Sequence, residues 1–289
     1  MKLLFFLSIF FVSKVFANPI LLINEKIGLQ GLFENKNLIL TLDISDKNDI
    51  TGLYKIGDKD SINMLNGSII NKSIQLESEK IERNKFSSIH LDIRNNLFNG
   101  DGEINGKQYP LILKKESISY KKIISSIKIE AINDNDYELV IVVNQNEQRL
   151  RFFSLEDKIN IIFEDLNFDS YPDIRISENY GDINISYSYF LYDPKTSVYR
   201  YSKQLSNNII NPKVLYENKV LIGQSRDGCC FYEKTILYQN NLYKFSFNYL
   251  KNKGEMIHYN DKNKVIKKTS ITKVMFDNAP LIKMIDNNL

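Results

Sequence analysis

The stretch Asp165-Leu166-Asn167-Phe168-Asp169-Ser170-Tyr171-Pro172-Asp173, set between Ile161-Ile162-Phe163 and Ile174-Arg175-Ile176, decides how the chain is read. Oxygen-bearing side chains stand at its first, third, fifth and ninth positions: Asp165, Asn167, Asp169 and Asp173. Tyr171, at the seventh, offers a backbone carbonyl. Oxygens at this spacing let a short segment wrap a hard cation with six to eight ligands at about 2.3–2.6 Å, which suits calcium. Magnesium would ask for stricter octahedral geometry, and zinc for nitrogen or sulfur ligands that the stretch lacks. The alternative reading is an Asx-rich surface turn, because Asp and Asn cap turns on their own backbone. An EF-hand is excluded, since it needs glycine at the sixth position, glutamate at the twelfth and flanking helices. Here those positions hold Ser170 and Ile176, and Pro172 lies inside the loop. The flanks therefore read as short strands.

Working outward, strand-like runs recur with turns between them. From Ile20 to Leu113 they include NLILTLDI (37–44), ITGLYKI (50–56), SIQLESEKI (73–81), SSIHLDI (87–93) and YPLILK (109–114). Alternation in SIQLESEKI puts Ile74 and Leu76 on one face and Gln75 and Glu77 on the other, as a half-buried strand requires. The polar text KKESISYKK (114–122) joins this part to a second series: IISSIKIEAI, YELVIVVN, QRLRFFSL and KINIIFED before the loop, and INISYSYFLYD and LYKFSFNYL after it. Abundant Ile, Tyr, Phe and Asn and the absence of Trp suit strands joined by Asn-rich turns. The expectation is an all-β chain with an antiparallel short-strand meander module over 18–115 and a β-propeller-like, calcium-binding module over 116–289. The two modules could also form one continuous fold.

At the start, Lys2, the apolar run Leu3–Val12 and compact residues up to Ala17 read as a secretory signal peptide over 1–17, cleaved after Ala17. The run is too short to span a bilayer, and no later segment is apolar enough, so the mature chain is expected to be exported without a membrane span. Net charge is only +3, from 38 basic and 35 acidic residues. That leaves no global field to gather nucleic acid.

Classical catalytic signatures are missing: there is no Gly-x-Ser-x-Gly elbow, no paired-histidine metal motif and no phosphate-binding glycine loop. His90 and His258 stand alone. The two cysteines, Cys229 and Cys230, are adjacent. Export favours oxidation, yet neighbouring Cα atoms lie about 3.8 Å apart, below the usual disulfide range. A vicinal disulfide, two buried thiols and an intermolecular bridge all remain open readings. Aspartate and glutamate pairs keep a carboxylate-dependent glycosidase in view.

The loop D-x-N-x-D-S-x-x-D resembles the calcium loops of FG-GAP and VCBS-type β-repeats, with Ser170 where those carry glycine. ITGLYKI with NMLNGSI and SIQLESE is similar to a small exported bacterial β-module carrying Gly-x-Tyr, Leu-x-Gly and Leu-Glu strands, here Gly52, Tyr54, Leu65, Gly67, Leu76 and Glu77. From Phe163 to Phe247 the order of loop, YFLYDPKTSVYRYSKQLS and SRDGCCFYEKTILYQNNLYKF resembles periplasmic immunity proteins against lysozyme-like toxins of bacterium-killing type IV secretion systems. Some relatives of that group carry a Ser-Gly-x-x-Tyr loop; Thr51-Gly52-Leu53-Tyr54 is the nearest text. The resemblance implies a calcium-binding, propeller-like periplasmic inhibitor whose partner is a cognate peptidoglycan-cleaving toxin, acting by stoichiometric occlusion rather than turnover. Tyr-rich text such as ISYSYFLY would supply contact area of the kind protein interfaces use. A calcium-dependent polysaccharide-binding or adhesion module would use the same parts.

Overall fold

Alternating apolar and polar residues carry the chain into eight strands before the polar join: β1 (Ile20–Phe33), β2 (Lys36–Ser45), β3 (Asp49–Ile56), β4 (Asn63–Ile70), β5 (Ser73–Glu77), β6 (Phe86–Arg94), β7 (Leu97–Ile104) and β8 (Lys107–Lys115). The computed structural model describes residues 19–57, 62–80, 82–94, 97–181, 183–260 and 264–279, so the expected export segment lies outside the described residues. Two-residue turns at Glu34-Asn35, Asn71-Lys72 and Asn105-Gly106 place both residues at positive φ. That is the turn whose twist matches an antiparallel hairpin. Each strand pairs with the next, and β8 returns to β1 through Leu29↔Lys115, Gln30↔Lys114 and Gly31↔Leu113. The meander is thus a closed eight-stranded antiparallel barrel. Closure depends on Gly31, where a Cβ would run into the Ile112 carbonyl oxygen.

The inward set is apolar throughout, led by Leu29, Leu38, Leu40, Leu42, Ile74 and Leu91. Its polar exception is satisfied: the Tyr54 hydroxyl accepts the Phe86 N–H at 2.8 Å. Tyr54 therefore lies inside the barrel, and the Thr51–Tyr54 text has no exposed tyrosine to present.

β1 is longer than the barrel needs. Its first residues, Ile20–Glu25, pair in parallel with β12 (Lys158–Glu164). From there the sheet continues through β13 (Asp173–Tyr180), β14 (Ile185–Asp193) and β15 (Val198–Tyr201). A three-stranded sheet, β9 (Ile124–Ala131), β10 (Asp136–Val143) and β11 (Asn146–Phe153), covers one face of this extension. Leu139, Ile141, Leu150 and Phe152 meet Ile161, Phe163, Ile174 and Phe190 there. The other face meets a six-stranded sheet: β16 (Lys213–Leu215), β17 (Val220–Asp227), β18 (Phe231–Tyr238), β19 (Asn241–Asn248), β20 (Lys253–Tyr259) and β21 (Val265–Ile271). Helix α1 (Lys203–Asn208) lies in that contact, with Ile162, Leu166, Tyr189, Leu205, Leu221 and Leu242 as its core. Helix α2 (Lys273–Asn278) caps the far side of the same sheet through Phe276.

Among the described residues the C-terminal part is a stack of sheets, and the propeller-like arrangement expected of it is not shown. The reason is legible in β12, where Ile161 and Phe163 face one neighbour and Ile162 the other. A strand apolar on both faces is satisfied as a middle layer. Strand β14 corrects a second expectation, because Tyr187, Tyr189, Phe190 and Tyr192 of ISYSYFLY are all buried. They form core rather than contact surface.

Candidate functional site

The loop 165–173 bridges β12 and β13 and sits where the barrel, the middle sheet and the C-terminal sheet come together. Its winding is set by its own carboxylates. Asp165 accepts the N–H groups of Asp169 at 3.2 Å and Ser170 at 2.9 Å, so the first residue gathers the backbone of the fifth and sixth. The Asn167 side-chain oxygen accepts the Asp169 N–H at 3.1 Å, and Asp169 accepts the Tyr171 N–H at 2.9 Å. Ser170 adopts φ 73, the left-handed conformation that calcium loops assign to glycine at the sixth position. The missing glycine has thus not changed the turn, and Phe168 is left-handed as well, at φ 64. Backbone ties fix the loop to its surroundings: the Ile118 N–H donates to the Ser170 carbonyl at 3.0 Å, and the Tyr199 hydroxyl to the Pro172 carbonyl at 3.0 Å.

Asp173 closes the loop from below. One of its oxygens accepts the Leu166 N–H at 3.0 Å and the other the Tyr192 N–H at 2.8 Å. The carboxyl is fully buried, and burial drives its pKa well above the usual carboxylate value despite those two donors. Burial, followed by the charge of Asp169, pushes Asp165 up to about 7. Two buried carboxyls in one loop thus lack a compensating positive charge.

In donor chemistry and winding the loop suits calcium: its oxygens are hard, and no described group donates to the Tyr171 carbonyl. In side-chain placement the carboxylates are turned onto the loop's own N–H groups. Among the described residues, no three His, Cys, Asp or Glu side chains gather closely enough to hold a metal ion.

Directly beneath lies a charged pair that the sequence reading did not single out. Arg175 and Glu164 are both buried and meet at 2.8 Å between Nη2 and Oε2. Burial opposes the Arg175 charge, but Glu164 together with Tyr189, Tyr187 and Tyr216 outweighs it, so its pKa rises. The guanidinium lies 5.0 Å from the Tyr187 ring centre. Tyr216 enters this centre from the C-terminal sheet, its ring against Gly28 of β1, where a Cβ would collide with it. Burial, with Glu164 beside it, raises its pKa well above the ordinary value. The available signal was the charged residue inside the apolar text Ile174-Arg175-Ile176: an arginine with apolar neighbours on a two-faced strand needs a buried partner.

The other singled-out residues are dispersed. Cys229 and Cys230 form a vicinal disulfide at the exposed β17–β18 turn, next to Gly228. There the Tyr249 N–H donates to the Cys230 carbonyl at 2.9 Å, and Tyr232 packs edge-on against Tyr249. His258 is buried, stacked at 4.5 Å on Tyr243, while His90 lies outside the barrel within 2.9 Å of the Ser73 hydroxyl. No helix among the described residues is long and apolar enough to cross a membrane.

No family model matches the chain, and no curated protein does. Among solved structures it is similar to a Xanthomonas type IV secretion system related protein, at 15% identity, covering 85% of this chain and 99% of that one with a TM-score of 0.29. It is also similar to a mutant Aleuria aurantia lectin in complex with α-methyl-L-fucoside, at 8% identity, covering 79% and 91% with a TM-score of 0.18.

Proposed function

We propose that the chain is an exported bacterial immunity protein that acts in the periplasm, binding a cognate lysozyme-like, peptidoglycan-cleaving toxin and occluding it one to one, without turnover. The observation that carries this reading is the continuity of the segment whose text resembles such inhibitors. Its loop, β14, α1 and β17–β19 pack on one another through Leu166, Tyr189, Leu205, Leu221, Leu237 and Leu242. The cysteines are engaged in a disulfide, His258 stacks on Tyr243 and Glu164 pairs with Arg175. In this reading Asp165, Asn167, Asp169, the Tyr171 carbonyl and Asp173 hold calcium. The bound cation would supply the positive charge that the loop's buried carboxylates lack, fixing the loop without taking part in chemistry.

With ISYSYFLY buried, the contact surface belongs to exposed aromatic and apolar groups instead. Tyr201 is 52% exposed, and Tyr249 and Leu250 flank the disulfide turn at 36% and 79%. The test is to express lysozyme-like peptidoglycan hydrolases, beginning with any encoded beside this gene, in the periplasm of a sensitive strain. Survival with the full chain, and lysis when residues 1–17 are removed, is the expected result. Lysis in both cases would overturn the reading.

A further inference from the structure

Asn167 and Phe168 leave the loop on the side of the C-terminal sheet and line an open cleft of about 420 Å³. Its other walls are the 3₁₀ turn Tyr216–Asn218 with Lys219, and the β18–β19 hairpin turn Gln239-Asn240. Gln239 and Asn240 are the left-handed pair of that hairpin turn, at φ 48 and 63, and Lys219 is the left-handed cap of the 3₁₀ turn at φ 52, so ordinary turn geometry fixes both walls.

The side chains divide into two kinds. Phe168 and Tyr238 are half-buried aromatics with fixed rings: Phe168 packs edge-on to Tyr216 at 6.5 Å, and the Tyr238 hydroxyl accepts from Gln239 Nε2 at 3.0 Å. Asn218, Asn240 and Lys219 are exposed and have no hydrogen-bond or ion-pair partner among the described residues.

Each free amide presents a donor and an acceptor together, the combination a sugar hydroxyl answers. Aromatic rings offer apolar area to the C–H face of a pyranose while their edges stay wet. A phosphate ligand would ask for several cations, and here Glu217 is paired with Lys55 at 3.4 Å, leaving Lys219 alone. A greasy peptide would ask for apolar walls where four amide side chains stand.

We propose that this cleft is a saccharide-binding site for a short, hydroxyl-rich pyranose chain, distinct from the toxin-inhibiting activity and independent of it. The test follows amide NMR shifts of the full chain titrated with chitotriose and, separately, maltotriose. Saturable shifts centred on Phe168, Asn218 and Asn240 are expected with at least one probe, at a dissociation constant of about 0.1–1 mM. The Asn218→Ala/Asn240→Gly variant keeps the left-handed turn, since glycine accepts positive φ freely, and removes both amides. It should melt with the parent and bind at least tenfold more weakly. Absence of saturable shifts at the cleft up to about 10 mM of either sugar, or unchanged affinity in the variant, would overturn the proposal.

Discussion

The barrel and the stacked sheets bury their interiors by opposite means. The core of the barrel is apolar apart from Tyr54, whose one polar atom is satisfied, and the buried charged pair on its strands, Glu25 with Lys115 at 3.3 Å, stands where β1 meets β12. Around β12 and β13 the interior instead holds Glu164, Asp165, Asp173 and Arg175. Burying apolar area depends on neither protonation nor a bound cation, whereas buried charges are stable only while every partner is present. The core of the barrel is therefore the part that pH and divalent cations should leave alone, and the stack, with its junction to β1, is where they should act.

The largest effect expected from breaking that contrast comes from Arg175→Met. It preserves much of the side-chain volume and leaves Glu164 buried without its cation, so it should cost about 3–5 kcal/mol in urea unfolding. Replacing both partners, as Glu164→Leu/Arg175→Met, should recover most of that loss. In the barrel, Leu40→Ala should cost about 2–5 kcal/mol through its cavity alone, with no second substitution able to restore it by charge compensation. Recovery failing in the double variant would mean that the stack, like the barrel, is held by shape rather than by paired charge.

Calcium is expected next in size. A cation bound to the folded state alone stabilises it by about 2.7 kcal/mol at a hundredfold excess over Kd. Melting in calcium against EDTA should show this, and Asp169→Ala should abolish the difference. An unchanged midpoint would remove calcium from Asp165–Asp173 and leave an Asx-rich turn.

These contrasts match what the sequence could and could not disclose. Alternation such as Ile74 and Leu76 against Gln75 and Glu77 is a local property, so the all-β class and most strands were legible. Closure of the barrel was not, because it rests on Gly31 meeting Leu113 across the whole meander. Nor was the parallel pairing of Ile20–Glu25 with β12, which turns a string of hairpins into a stack. The aromatic text 183–193 was read for its composition, yet alternation alone cannot say that both faces of its strand are covered. At the site, the spacing of Asp165, Asn167, Asp169 and Asp173 named the loop. The burial that raises two of those carboxyls came from β14 and the neighbouring sheets, beyond any local window.

A smaller pH effect sharpens the same comparison. Burial, followed by the charge of Lys267, lowers the pKa of His258 below its ordinary 6.5. A base with a lowered folded pKa contributes stability that is present above its unfolded value and lost as pH falls through the folded one. Below pH 6.5 the parent should therefore lose melting temperature that a His258→Gln variant keeps. Parallel curves would show that the ring titrates alike in both states. The smallest effect belongs to the disulfide turn: Cys229→Ser/Cys230→Ser should change stability by less than about 0.5 kcal/mol, because the turn is exposed. In the parent, neither cysteine should alkylate after unfolding without reductant.

Stoichiometric capture tests the central claim most directly. The purified chain should be titrated by calorimetry into the lysozyme-like peptidoglycan hydrolase against which it protects cells, with cell-wall cleavage followed in parallel. An inhibitor that must intercept scarce toxin needs roughly nanomolar affinity, about −12 kcal/mol, which an interface of ordinary size supplies when a few anchors are well packed. The account predicts a one-to-one complex of that strength, with cleavage falling to zero at one equivalent. No heat of binding at micromolar concentrations, together with undiminished cleavage, would contradict it.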